Sequence, residues 1–181
     1  MKAVILAGGF GTRLSEETTA IPKPMVQIGE HPILWHIMKI FSHFGVEEFV
    51  ICLGYKGYVI KEYFHNYSIH MSDVTLDLKN KYMDVHKNTA EPWRVTLLDT
   101  GLNTMTGGRL KRVRAYLGDE PFFMTYGDGL ANVDVSALAI YHRAHGKLAT
   151  VTAVPALGRF GVLKTREDGR VDGFIEKADT R

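Results

Sequence analysis

The N-terminus sets the strongest constraint: the run KAVILA, residues 2–7, passes directly into GGFGTRL, residues 8–14. A continuous apolar stretch of this kind reads as a strand buried on both faces, as found inside a parallel sheet. Parallel strands need crossover connections, which commits the chain to alternating strands and helices. The glycines that follow let the backbone approach a ligand and tolerate positive φ. This loop is not a P-loop, because no Lys-Ser/Thr closes it, and it is not the dinucleotide fingerprint G-x-G-x-x-G.

The alternation continues downstream. In HPILWHIMKIFSHFG the residues Ile33, Leu34, Ile37, Ile40, Phe41 and Phe44 recur at helical spacing, with Pro32 suited to the first helical position and Gly45 to the stop. FVICL (49–53) is a second buried strand, and GYVIKEYFHNY a helix that stacks Val59, Tyr63 and Tyr67 four apart. VTLDL (74–78) alternates as a half-exposed strand and RVTLLDT (94–100) is another; GRLKRVRAYLG is a helix with Leu110, Val113 and Leu117 on one face. PFFMTYGDG (121–129) reads as a buried strand running into Asp128, after which Asp134 can cap a helix that lasts to Gly146. ATVTAVP then resumes a strand pattern, and GVLKT and RVDGFIEK pair around a turn at Asp168 and Gly169. The expected fold is α/β and Rossmann-like: a mostly parallel sheet with helices on both faces, plus a small antiparallel strand region.

A chain of 181 residues is most simply one domain, 1–181, large enough for a proper core. A net charge of +2 is too mild to point to nucleic acid or a membrane surface, and no stretch reaches membrane-spanning length. Cys52 is the single cysteine and sits in an apolar run, so it forms no internal disulfide and reads as a buried core thiol. With no signal peptide in MKAVILAGG, the expectation is a cytoplasmic, soluble protein.

Three features carry chemistry. Successive N–H groups in the opening loop form a nest suited to phosphate oxygens, and Arg13 adds a planar fork of donors. Lys23 stands between Pro22 and Pro24, which stiffen the backbone and aim the lysine; alone, it would be a surface lysine in a proline turn. Asp128, in YGDG, falls at a strand end, where open α/β sheets gather ligands, and its flanking glycines leave room for a metal and its waters; alone, it would be a turn aspartate. His142 and His145 lie three apart on a helix without a third ligand, and the basic segment MTGGRLKRVR is explained as a packed helix with a solvated face. A nicotinamide-dependent oxidoreductase would need an acidic residue about 20 positions beyond the glycines. Glu30 is available there, but it does not end a second strand.

Taken together, LAGGFGTRL with the downstream PKP, then YGDG, GRFGVL and FIEK resemble the sugar-nucleotide pyrophosphorylases, a nucleotidyltransferase family, in order along nearly the whole chain. The stretches PKPMVQIGEHPILWHIMKIF, CLGYKGYVIKEYF, MSDVTLDL, EPWRVTLLDTG and TMTGGRLKRV resemble its glucose-1-phosphate cytidylyltransferase branch. The resemblance implies a GT-A-like sheet, CTP and glucose 1-phosphate as substrates, and CDP-glucose, a precursor of the dideoxy sugars of surface polysaccharides such as the O-antigen of lipopolysaccharide. It implies Mg²⁺ as cofactor and a homo-oligomer. By motif, Leu6, Ala7, Gly8, Gly9, Phe10, Gly11 and Thr12 would cradle the nucleotide, Arg13 its phosphates, and Lys23 the phosphates at the reacting centre. Thr104 and Arg109 would lie on the nucleotide side, and Asp128 would bind Mg²⁺. Glu176 would meet the sugar hydroxyls, Lys177 the sugar phosphate, and Gly161 would run beside the sugar. Two features depart from the pattern: Ala178 stands where the family usually has proline, and family members continue past this point to a second metal-binding aspartate. The alternative reading is a nucleotide-binding module that is catalytically incomplete or depends on a partner.

Overall fold

The computed structural model describes residues 1–9, 21–154 and 162–175. The described elements begin with strand β1 (Ala3–Leu6), a 3₁₀ turn (Lys23–Met25), the short strands β2 (Gln27–Ile28) and β3 (His31–Pro32), and helix α1 (Ile33–His43). They continue with β4 (Glu48–Leu53), α2 (Gly57–His70), β5 (Ser72–Asp77), β6 (Tyr82–Asn88), β7 (Arg94–Asp99) and α3 (Thr106–Leu117). The last are β8 (Phe123–Tyr126), α4 (Val135–His145), β9 (Val162–Thr165) and β10 (Val171–Ile175). The chain divides into two compact units, Met1–Val135 and Ser136–Arg181.

In the first unit, four strands form one sheet in the order β7-β4-β1-β8, and every pairing in it is parallel. Period-two alternation sends successive β1 residues to opposite faces. Ala3 and Ile5 pack with Leu34, Ile37 and Met38 of α1 and Ile60 of α2, whereas Val4 and Leu6 pack with Val113 and Leu117 of α3. Helices therefore cover both faces, as the sequence pattern predicts. Each fully buried aliphatic side chain of this kind contributes on the order of 2 kcal/mol. Helix α1 starts at Ile33, one residue after Pro32, and ends in a turn where Gly45 takes φ +78° and its N–H donates to the Ser42 carbonyl at 2.9 Å.

Two readings need correction and one strand went unread. The segment PFFMT is not a buried strand: β8 has a neighbour only on the β1 side among the described residues, and Met124 and Tyr126 are exposed. ATVTAVP forms no strand over its described residues, 149–154; its β-branched residues favour extended backbone but find no ladder partner there. Residues 82–88, unread in the sequence, form β6 and pair antiparallel with β5, Leu76 opposite Met83. The second unit contains the antiparallel pair β9–β10, turned at Gly169 with φ +77° as expected.

Candidate active site

In an open parallel sheet, ligands collect at the carboxyl ends of the strands where the order of connection reverses. Here the chain leaves β1 for β4 and β7 on one side, then crosses to β8 on the other, so the reversal falls between β1 and β8. The two glycine-bearing turns read from the sequence meet at this point. Ala7, Gly8 and Gly9 leave β1, and Gly127, Asp128 and Gly129 leave β8, tied together by the Gly127 N–H donating to the Leu6 carbonyl at 3.0 Å.

The proline-framed segment joins them. Pro22 is extended, with φ −69° and ψ 145°, and the backbone then tightens into a single 3₁₀ turn in which the Met25 N–H donates to the Pro22 carbonyl at 2.8 Å. The prolines thus exclude an α-helix here, but they admit this short turn. A side chain on Gly127 would put its Cβ 3.0 Å from Pro24 Cγ and 3.3 Å from Ala7 Cβ. The turn therefore lies directly against YGDG, and the Lys23 ammonium donates to Asp128 Oδ2 at 2.5 Å. Both side chains are half-sheltered, 26% and 36% exposed. The space expected beside Asp128 lies on one side alone: Gly127 is packed, while Gly129 has open space around it.

The opposite wall is built by Arg109. It reaches inward from α3 and is buried, 6% exposed. Nη1 donates to the Leu53 carbonyl at 2.9 Å and to Thr100 Oγ1 at 2.6 Å, and Nη2 to the carbonyls of Gly8 at 3.0 Å and Leu102 at 3.3 Å. One guanidinium thus collects acceptors from the ends of β1, β4 and β7. Burial pulls its pKa below the usual arginine value. Cys52 lies close by, and burial pushes its thiol up to about 11, in keeping with a core thiol. Gly8 and Gly54 permit this packing: a Cβ on Gly54 would stand 2.5 Å from the Gly8 carbonyl oxygen. Arg112 holds the next loop, donating to the Thr100 carbonyl and, at 2.7 Å, to Thr104 Oγ1.

The structure therefore brings Leu6, Ala7, Gly8, Gly9, Lys23, Thr104, Arg109 and Asp128 to one end of one sheet. Phe10, Gly11, Thr12, Arg13, Gly161, Glu176 and Lys177 lie outside the described residues. Gly54 and Arg112 escaped the sequence reading. Gly54 was open to the same signal as Gly8, a glycine just after a buried strand, whereas nothing in the sequence separates Arg112 from its basic neighbours. His142 and His145 both contact Thr150 Oγ1, at 2.9 and 2.7 Å, and no group of three metal-ligating side chains occurs among the described residues. A groove of about 970 Å³ lies off the strand ends, where Tyr67, Trp93 and Leu97 line the space between α2 and β7.

The chain that carries this strand end is similar to known proteins along nearly its whole length. A nucleotidyl transferase family model matches residues 2–181. The chain belongs to the nucleotidyl transferase family. It is 61% identical over 178 residues to a glucose-1-phosphate cytidylyltransferase of Salmonella typhimurium, an alignment covering 98% of this chain and 69% of that protein. A mannose-1-phosphate guanyltransferase of Aspergillus oryzae is 32% identical over 183 residues, with 98% of this chain and 45% of that protein covered. Among solved structures, HddC from Yersinia pseudotuberculosis complexed with GMP-PN superposes with a TM-score of 0.68 at 26% identity, covering 97% of this chain and 69% of the other. These nucleotidyl transferases share the parallel sheet with helices described above. As a member of this family the chain is a transferase of nucleotidyl groups.

Proposed function

We propose that the protein transfers the cytidylyl group of CTP to glucose 1-phosphate, giving CDP-glucose and pyrophosphate. The observation that carries this reading is the Lys23–Asp128 pair at the β1/β8 crevice, a cation and a carboxylate 105 positions apart in the chain that converge at 2.5 Å beside the opening loop. The choice of substrates is supported by the relatives with matching names and by the extent of the identity.

The chemistry needs no protein nucleophile. The sugar phosphate is largely dianionic at neutral pH, its second pKa lying near about 6. One of its oxygens attacks the α-phosphorus of CTP; the bond from that phosphorus to the bridging oxygen breaks, and pyrophosphate departs in line. The obstacle is repulsion between two polyanions. Lys23 and Arg13 oppose it with fixed positive charge, and the Gly8–Gly9 backbone, held from beneath by Arg109, orients the triphosphate. A hard carboxylate oxygen with open space on the Gly129 side suits Mg²⁺, with phosphates and water completing the shell. Mg²⁺ held at Asp128 would supply charge neutralisation on the phosphates. This proposal includes a cytoplasmic setting and a homo-oligomer, to which the exposed Leu76, Met83 and Val85 of the β5–β6 hairpin offer an apolar surface.

Removing one charge-assisted phosphate contact costs on the order of 3 kcal/mol, roughly a hundredfold in rate. Lys23→Ala and Arg13→Ala are each expected to lose most pyrophosphate release from CTP and glucose 1-phosphate while the circular dichroism spectrum stays native. Turnover close to the parent rate in either variant contradicts the assignment.

A further inference from the structure

The Lys23 ammonium occupies the same carboxylate that the proposed function gives to a divalent cation. We propose that Lys23 and the cation compete for Asp128, so that nucleotide phosphates must draw Lys23 away before the metal binds well; this rests on the reading of Asp128 as the metal ligand. Three observations carry it. Lys23 Nζ lies 2.5 Å from Asp128 Oδ2, within the space a metal bound to that oxygen would need. Pro22 and Pro24 frame the lysine, and Pro24 lies against Gly127, so the turn holds the Lys23 backbone beside YGDG and side-chain torsions are the means of carrying the charge elsewhere. Asp128 sits between a packed Gly127 and an open Gly129, which leaves one side for an incoming ligand.

Two cations a few ångströms apart repel strongly in a half-sheltered site. Metal alone therefore binds weakly, because it must displace an ammonium already paired with that carboxylate. Nucleotide supplies another anion: its phosphates accept Lys23, and the freed carboxylate accepts the metal. The two ligands bind cooperatively as a result, and by linkage each raises the affinity of the other by the same factor. In the absence of ligand, Lys23 is the counter-ion that keeps Asp128 in place at the mouth of the crevice.

The test is titration of the nucleotide-free protein with Mn²⁺ alone, following free Mn²⁺ by electron paramagnetic resonance. Lys23→Gln, which keeps side-chain length and polarity without the charge, is expected to bind Mn²⁺ about tenfold more tightly than the parent protein. Lys23→Arg, which keeps the charge, is expected to match the parent. Unchanged or weaker binding by Lys23→Gln overturns the competition. Asp128→Asn separates the two ideas: if it binds Mn²⁺ as well as the parent does, the metal assignment itself falls and the competition with it. If Asp128→Asn abolishes binding while Lys23→Gln gains nothing, only the competition is lost.

Discussion

Arg109 shows how one side chain can tie together the ends of three strands. Its terminal nitrogens donate to the carbonyls of Leu53, Gly8 and Leu102 and to the Thr100 hydroxyl, so replacing it removes four charge-assisted hydrogen bonds, although the Leu53 and Gly8 carbonyls keep the Thr100 and Tyr55 N–H groups as donors. Arg109→Leu is expected to lower stability by about 3 kcal/mol, read as a fall in the urea midpoint. A midpoint within experimental error of the parent's would show that these contacts are incidental. Cys52, beside it, gives a check on burial. Its thiol is raised from 9.0 to about 11, so the neutral form is favoured in the fold. The associated stability is fully present below pH 9.0 and is lost as pH rises through about 11. Iodoacetamide at pH 8 is expected to modify Cys52 only as fast as the protein opens, and rapid labelling of the native protein would contradict the burial.

At the scale of elements, the hairpin β5–β6 was the part least legible in the sequence. Its second strand, YMDVHKN, offers only Met83 and Val85 as an apolar face, and every residue in it is exposed. What fixes the hairpin is its turn. Asp77 accepts backbone N–H bonds from Lys79 at 3.0 Å and Asn80 at 2.9 Å, and Lys81 takes the left-handed conformation at φ 54°. The backbone hydrogen bond from Asn80, helped by the Asn80 amide, lowers the Asp77 pKa. A lowered carboxylate stabilises above its unfolded pKa, and that contribution is lost as pH falls through the folded value. Asp77→Ala is therefore expected to speed hydrogen exchange at the Lys79 and Asn80 amides at neutral pH. The difference from the parent should shrink as the solution is taken below about pH 4, near the ordinary Asp value. A difference independent of pH would mean that the charge plays no part. The neighbouring elements were easier: β1 and β4 are apolar runs buried on both faces, and the helices that cover them have a clear period.

For the molecule as a whole, binding to the native state alone stabilises it by RT ln(1 + [L]/Kd), about 2.7 kcal/mol at a hundredfold excess over Kd. CTP with Mg²⁺ is expected to raise the melting temperature, and GTP at the same concentration to raise it less. An equal or larger shift with GTP would overturn the choice of base. The expected size also follows from the site's construction: the crevice is assembled from the ends of β1 and β8, so a ligand bridging them resists separation of strands that anchor the sheet.

The sequence determined the periodicities, and with them the parallel sheet, the helices on its two faces and the identity of a glycine loop, a proline-framed lysine and a strand-end aspartate as the chemical candidates. Periodicity is a local property, and local spacing suffices to express it. Which candidates meet is not local. Only the tertiary structure decided that Lys23 closes on Asp128, because strand order, and not sequence distance, puts the end of β8 beside the end of β1. It alone decided that Arg109 turns inward while Lys111 and Arg114 on the same helix stay exposed, since burial of a charge depends on how many carbonyls several strands can bring to one point.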